Sequence, residues 1–225
     1  HNCLVGSEMC IRDRYCFIFL KKFFAKIILL KMKKSIFYIL FISLLACNSA
    51  DDNRADTIKL MIDEVSYLSS DELEGRETGT IGEKKAAEYI SSKFLEYGLV
   101  GKGTEGFFQT FEASIKENPH TNTIKKKINA TNVVGYLDNN QDETIIIGAH
   151  YDHIGYGDFS SLYDGDREIH NGADDNASGV SIMINLAKSL NKVKDYNYLF
   201  IGFSGEEHGL FGSSHYAKNP TIDLD

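Results

Sequence analysis

The sequence predicts an α/β fold in which helices cover a sheet of buried strands. Two runs, residues 144–149 and 198–203, are continuously apolar, which is typical of strands buried on both faces. Between them, residues 177–190 have the apolar spacing of a helix, with Val180, Met183 and Ile184 on the inner face beside Ala187. A buried strand, a helix and a second buried strand indicate a right-handed parallel crossover, as in α/β sandwiches.

Two helices are predicted before these strands. The first is indicated by apolar residues at helical spacing, and Ser69-Ser70 ends it: Ile58, Met61, Ile62, Val65 and Leu68. The second covers about residues 82–97 and ends at Gly98. Its inner face consists of Ala86, Ala87, Ile90 and Phe94.

The segment after the second helix has a weaker pattern of secondary structure. An edge strand is expected near residues 107–111, within a stretch of weak periodicity at 101–122. A further strand is expected over residues 132–137. The basic run Lys125-Lys126-Lys127 is interpreted as a solvated loop.

The first 46 residues differ from the rest of the chain. Met32 and two lysines precede an apolar run at 35–46, which suits a signal peptide and is too short to span a bilayer. The tetrad Leu44-Leu45-Ala46-Cys47 resembles a bacterial lipobox. We therefore expect residues 1–46 to be upstream translated sequence followed by a signal peptide (Met32–Ala46), and residues 47–55 to be a lipidated cysteine and its tether. A plain secretory signal and an anchor helix from Phe17 are the alternatives.

Charge and cysteine content limit the functions that the chain from Cys47 onward can have. From Cys47 onward the chain has 16 basic and 30 acidic residues, a net charge of −14, which argues against nucleic acid as a partner. Cys47 is the only cysteine in this part, so disulfides and thiolate metal sites are excluded there. Any metal must be held by histidine and carboxylate side chains.

Residues able to bind a metal follow both apolar strands and precede the crossover helix. The first strand runs into His150-Tyr151-Asp152-His153, and the second into Gly205-Glu206-Glu207-His208-Gly209. The third cluster, residues 171–179, contains Asp174-Asp175-Asn176. Ligands of open α/β sheets bind at the carboxyl ends of the strands, so the three clusters are expected to converge. Imidazole and carboxylate without thiolate suit Zn²⁺, with Mn²⁺ or Co²⁺ also open.

These clusters resemble metallopeptidase family 28 (clan MH), the two-zinc aminopeptidases. Asp71-Glu72-Leu73-Glu74-Gly75-Arg76 and Ala130-Thr131-Asn132-Val133-Val134 belong to the same resemblance, which covers about residues 60–225. It implies a three-layer α/β/α sandwich around a mostly parallel, mixed central sheet. Residues 56–225 would then be the N-terminal part of a zinc peptidase domain.

The resemblance also implies a role for each site residue. His150 is expected to bind one zinc, Glu207 the second, and Asp175 to bridge both. Asp152 is expected to accept the other imidazole N–H of His150, and Glu206 to act as general base.

Several neighbours of these residues receive lesser roles. A cis peptide is implied between Asp175 and Asn176, and Asp174 is the alternative to Asp175 as ligand. Three further histidines are interpreted as groups that line the pocket or lie at the surface: His153, His170 and His208.

The resemblance leaves the site incomplete. The family's two-zinc site takes five protein ligands and this chain supplies three, so an aspartate and a histidine are expected beyond residue 225. We therefore expect the chain to be a C-terminally truncated fragment that binds zinc weakly and hydrolyses little by itself.

The predicted function is a zinc-dependent aminopeptidase that acts on peptides with a free N-terminus. It is expected at the bacterial cell envelope, on the periplasmic or outer-membrane surface, where only a lipid at Cys47 attaches it to the membrane. Secretion is the alternative location. The alternative functions are a single-zinc glutaminyl cyclase and a lipoprotein that retains the fold as a non-catalytic binding module.

Overall fold

A computed structural model describes residues 54–116, 124–157, 161 and 165–223. The predicted signal peptide, lipobox cysteine and tether up to residue 53 lie outside the described residues. No helix in the described part is long and apolar enough to cross a membrane.

In the part of the chain that the structure describes, two helices precede the sheet, as the sequence predicts. Helix α1 covers residues 54–68, and a 3-10 segment, Asp71–Arg76, follows it. Helix α2 spans Ile81–Glu96, where the side chain of Thr80 caps its N-terminus by accepting from the Glu83 N–H. The predicted inner face of α2 is buried: Ala86, Ala87, Ile90 and Phe94. The face predicted for α1 is wrong at its start, because Ile58 and Ile62 are exposed while Glu64 is buried.

Within the described residues the sheet has five strands: β1 (Val100–Gly101), β2 (Phe108–Lys116), β3 (Ile124–Leu137), β4 (Thr144–His150) and β5 (Asn197–Phe203). Their order is β1-β3-β5-β4, and β2 also pairs with β3. Strands β4 and β5 are parallel and joined through helix α3 (Ser178–Leu190), which confirms the predicted parallel crossover. The three other pairings, all made by β3, are antiparallel, so the described sheet is mixed as predicted but is not mostly parallel.

Helices cover both faces of this sheet. Successive residues of β5 alternate between the faces, so Tyr198 and Phe200 pack in the cluster formed with α2 and α3. Leu199 and Ile201 pack on the other face with Tyr216 of helix α4 (Phe211–Lys218). This arrangement is the predicted α/β/α sandwich.

Two predictions about the strands are wrong. Strands β2 and β3 are longer than expected and pair with each other from Phe108↔Val133 to Lys116↔Ile124, so the lysine run predicted as a loop belongs to β3. There Lys127 lies 2.6 Å from the Glu112 carboxylate on β2, a cross-strand pair that suits an exposed hairpin.

Strand β4 is not buried on both faces. It is the last strand at one edge of the described sheet, and Ile145 and Ile146 are 40% and 49% exposed. Ile147 packs against the cluster under α3. An apolar run therefore indicates a strand but not how many neighbours that strand has.

The carboxyl group of Glu64 is buried between α1 and α3. Its Oε2 accepts hydrogen bonds from Ser181 Oγ at 2.6 Å and from Asn185 Nδ2 at 2.7 Å. Burial raises the pKa of Glu64 above 4.5, although these two donors oppose the shift. Glu64 therefore retains a proton at pH values where it is ionised in the unfolded chain.

We expect this proton to make the free energy of unfolding fall as pH rises. Between pH 4.5 and the pKa of Glu64 in the folded state, the native protein binds more protons than the unfolded chain. The free energy of unfolding therefore has a negative slope with pH in this range. Glu64→Gln should remove this part of the slope, as measured by urea denaturation across that range. Asp63→Asn, at the exposed neighbouring position, should retain it. An unchanged slope in Glu64→Gln would contradict the assignment.

Candidate metal centre

The ends of β4 and β5 bring two of the three predicted clusters together. The strands run in parallel, with His150 in register with Phe203, and the Tyr151 N–H donates to the Phe203 carbonyl at 3.0 Å. The residues that follow, Asp152 and Glu206, therefore leave the sheet at the same edge. This is the edge at which open α/β sheets bind ligands.

Asp152 is fully buried and connects the two strand ends. Its carboxylate accepts the backbone N–H of Glu206 at 3.1 Å and that of Glu207 at 3.3 Å, and the Thr78 hydroxyl donates to it at 3.0 Å. The expected hydrogen bond from the His150 ring to this carboxylate is not formed, because Oδ1 lies 3.7 Å from Nδ1, and Nδ1 instead lies 3.3 Å from the Asp152 backbone carbonyl. Asp152 thus supports the turn that carries both glutamates and lies beside His150.

The loop before α3 delivers the third cluster. Asp175 Oδ1 lies 3.1 Å from His150 Nε2, and the expected cis peptide joins Asp175 to Asn176. The Asn176 side chain donates to the His150 carbonyl at 3.3 Å and accepts the Gly179 N–H at 3.1 Å. A Cβ at Gly179 would lie 2.2 Å from Asn176 Oδ1, which explains the glycine in this motif. The loop is thereby fixed to the end of β4.

Glu207 belongs to the cluster most suited to a metal. Single donor atoms of His153, Asp175 and Glu207 all lie within 4.8 Å of one another. His150 adjoins this group through its 3.1 Å contact with Asp175. Two imidazoles and two carboxylates without thiolate fit the donor preference of zinc.

His153 belongs to the candidate metal-binding donor group, a role that the sequence did not predict for it. It was expected to line the pocket or lie at the surface, but its Nδ1 lies 2.6 Å from Glu207 Oε1. The available signal was its place in the tetrad that follows β4, three residues after His150. Asp174, the alternative to Asp175, is not in the donor group formed by the described residues.

The protonation of the cluster reflects its burial and its charges. Burial raises the pKa of Glu207 above its usual value, while the hydrogen bond from His153 opposes the shift. Burial disfavours the charged form of His150, but the negative charges of Asp152, Glu206 and Asp175 outweigh it and raise the pKa. A metal that binds here must therefore compete with protons.

Arg76, from the first motif of the resemblance, lies buried beneath the cluster. Its guanidinium donates to the carbonyls of four residues: Leu68, Tyr151 (2.8 Å), Asn171 (2.8 Å) and Gly172 (2.9 Å). Burial lowers the pKa of Arg76 to about 10, an effect that Asp152, Asp175 and Glu207 oppose, so the group is charged at neutral pH. One cation thus joins α1, the end of β4 and the loop before the cis peptide.

Glu206 faces a cavity beside the cluster. The cavity has a volume of about 250 Å³ and is lined by His150, Asn176, Ser204, Glu206 and Leu210, among others. Glu206 Oε2 lies 4.0 Å from His150 Nε2, and its side chain is 37% exposed. A carboxylate that is open to solvent next to a metal-competent cluster can exchange protons with a bound water or substrate.

Comparisons with known proteins find similarity to a peptidase family. Residues 132–224 match the model of peptidase family M28. The chain is 29% identical over 152 residues to the alkaline phosphatase isozyme conversion protein of Escherichia coli, covering 64% of this chain and 41% of that protein. It is 31% identical over 126 residues to aminopeptidase YwaD of Bacillus subtilis, covering 54% of this chain and 24% of that one. The chain therefore spans less than half the length of these relatives.

Solved structures show the same fold. A Zn-dependent exopeptidase from Parabacteroides distasonis superimposes with a TM-score of 0.57 at 22% identity, covering 73% of this chain and 56% of that one. The glutaminyl cyclase of Fimbriiglobus ruber superimposes with a TM-score of 0.56 at 21% identity, covering 71% of this chain and 54% of that one.

Proposed function

Since residues 132–224 match the model of peptidase family M28, we propose that the protein is a zinc-dependent aminopeptidase that removes N-terminal residues from peptides. The observation that carries the proposal is the position of Glu206, open to a cavity that it shares with His150 at the edge of the metal-competent cluster. This arrangement places a proton acceptor beside a candidate metal ligand.

The residues that would hold zinc are His150, Asp175 and Glu207, and Asp175 would serve both ions. The 3.1 Å contact of Asp175 with His150 and its grouping with Glu207 support this shared role. His153 lies close enough to hold Glu207 in place or to add a donor. When bound, zinc supplies the Lewis acidity that makes a water nucleophilic near neutral pH and polarises the scissile carbonyl.

In the proposed reaction Glu206 handles the proton. Its carboxylate accepts a proton from the attacking water and returns it to the nitrogen of the departing amine. Asp152 keeps Glu206 in reach because it accepts the Glu206 backbone N–H at 3.1 Å. The neighbouring Glu207 is left to bind metal, so two adjacent carboxylates have different tasks.

The proposed substrates are peptides with a free N-terminus, whose positive amine suits an acidic protein. The chain has a net charge of −14 from Cys47 onward, which supports this choice and not a nucleic-acid partner. We further propose a lipid anchor at Cys47 and a location at the cell envelope, which rest on the sequence of the leader alone.

A glutaminyl cyclase is the second candidate, because the Fimbriiglobus ruber cyclase has this fold. Such an enzyme would use one zinc and join the substrate's N-terminal amine to its own side-chain carbonyl, releasing ammonia. A binding lipoprotein without turnover is the third candidate. These functions differ in zinc content and in product, so one set of assays separates them.

The test uses the purified protein expressed from its natural reading frame. We expect two zincs per chain, release of nitroaniline from unblocked aminoacyl-nitroanilides, loss of this activity with a chelator, and recovery with zinc. N-acetylated versions of the same substrates are the matched control and should not be hydrolysed. Cyclisation of a glutaminyl peptide with one zinc bound would indicate the cyclase, and bound zinc without either reaction would contradict both enzymes. The low activity expected of residues 1–225 alone stays a prediction.

A further inference from the structure

Glu83 is a buried carboxyl group that the proposed reaction does not use. It lies in the first turn of α2, on the wall of a cavity of about 320 Å³ between α2 and the β2–β3 hairpin. Its Oε1 contacts the Ser204 hydroxyl and lies 3.3 Å from the Tyr151 hydroxyl. Its Oε2 accepts the Gly79 N–H at 2.6 Å.

The two hydroxyl partners belong to the strand ends that carry the metal centre. Tyr151 stands between His150 and Asp152 at the end of β4, and Ser204 stands two residues before Glu206 after β5. One carboxyl group of α2 therefore contacts both ends at once.

We propose that Glu83 is a positioning residue of the metal centre, which fixes the ends of β4 and β5 relative to each other through Tyr151 and Ser204. The proposal rests on the proposed function, because it assumes that these strand ends hold the metal. The loss of residues that orient metal ligands without touching the metal costs about 10–100-fold in metal affinity or activity.

The hydrogens available in this cluster indicate that Glu83 works in its protonated form. The Tyr151 hydroxyl has one hydrogen, which it donates to the Thr131 carbonyl. The Ser204 hydroxyl donates its hydrogen to Glu83 Oε1. If Glu83 is ionised, no hydrogen is left for the 3.3 Å contact between Tyr151 and Glu83. A proton on Oε1 supplies it, and every contact is then a hydrogen bond.

The surroundings of Glu83 favour that proton. Burial raises the pKa of Glu83 to about 7, the charge of Asp152 adds to the shift, and the hydrogen bonds from Ser204 and Gly79 oppose it. The other charged groups that line its cavity are Lys84 and Glu88 on α2 and Glu105 before β2. The contacts of Glu83 with Tyr151 and Ser204, which bridge the ends of β4 and β5, should therefore weaken as the pH rises through about 7.

A titration of the metal-free protein tests the bridge directly. We expect the Glu83 carboxyl carbon, assigned by its absence in Glu83→Gln, to titrate near pH 7 by NMR. The ring signals of Tyr151 and the backbone amides of Glu206 and Glu207 should shift with the same midpoint. Titration of Glu83 near 4.5, or amides that do not follow it, would overturn the proposal.

Zinc binding supplies the second measurement. Glu83→Ala should weaken zinc binding by about 10-fold or more. Glu83→Gln should bind zinc within about 3-fold of wild type, because its amide NH2 has two hydrogens that can be donated to the Tyr151 and Ser204 hydroxyl oxygens, while its oxygen accepts from Gly79. Glu88→Gln, on the same helix and cavity, is the matched control and should have no effect.

The NMR titration and the zinc-binding measurement test the proposal independently of each other. Wild-type affinity in a folded Glu83→Ala variant would overturn the positioning role. If Glu83→Ala does not fold, the titration decides. A wild-type protein that binds no zinc would refute the proposed function, and the metal-free titration would still decide whether Glu83 bridges the strand ends.

Discussion

Glu206→Gln is expected to reduce peptide hydrolysis by about 10²–10⁴-fold while leaving the zinc content unchanged. Glutamine has the size of glutamate but cannot accept the proton of the attacking water. The Glu206 carboxylate is not a member of the donor group of His153, Asp175 and Glu207, so its loss should not release metal. The backbone N–H that Asp152 accepts is also retained, which should keep the turn in place.

The neighbouring residue is the matched control for this prediction. Glu207→Gln removes a carboxylate from the donor group and should lower zinc content together with activity. The measurements are zinc per chain, and turnover of an unblocked aminoacyl-nitroanilide with zinc in excess. If Glu206→Gln retains turnover within about 10-fold of wild type, or loses its zinc, then Glu206 is not the general base.

The positions of the elements that carry the site could be predicted, because each position depends on the apolar pattern of that element's own residues. The apolar run of β5 is buried along its length, and the inner face of α3 is the one its spacing indicates. The extension of β3 could not be read in the same way, because Lys126 and Lys127 are exposed and are held in the strand by pairing with β2. The exposure of β4 likewise depends on its neighbours and not on its sequence.

The same distinction applies to the site. The convergence of His150, Asp175 and Glu207 at one edge was predicted from their places at strand and loop ends, and the described structure brings them together. The contact of His153 with Glu207 depends on how two turns approach each other across the edge of the sheet. Glu83 was not singled out, because a glutamate in the first turn of a helix is ordinary in a sequence.

Arg76→Lys is expected to destabilise the protein by about 2–4 kcal/mol although it conserves the charge. The Arg76 guanidinium donates to carbonyls of three separate segments: Leu68 in α1, Tyr151 after β4 at 2.8 Å, and the adjacent Asn171 and Gly172 at 2.8 Å and 2.9 Å. A lysine ammonium is a single point and cannot reach all of them. Each buried carbonyl that loses its partner costs about 1–3 kcal/mol.

A comparison of three variants separates the effect of the Arg76 hydrogen-bond geometry on stability from the effect of its charge. Arg76→Met should be worse than Arg76→Lys, because it also removes the buried cation that faces Asp152, Asp175 and Glu207. Arg167→Lys is the control: this exposed arginine stacks 4.0 Å from the Tyr156 ring centre, and its replacement should change stability by less than about 0.5 kcal/mol. Urea denaturation measures all three. If Arg76→Lys is as stable as Arg167→Lys, the charge of Arg76 and not its contacts with the separate segments stabilises this part of the fold.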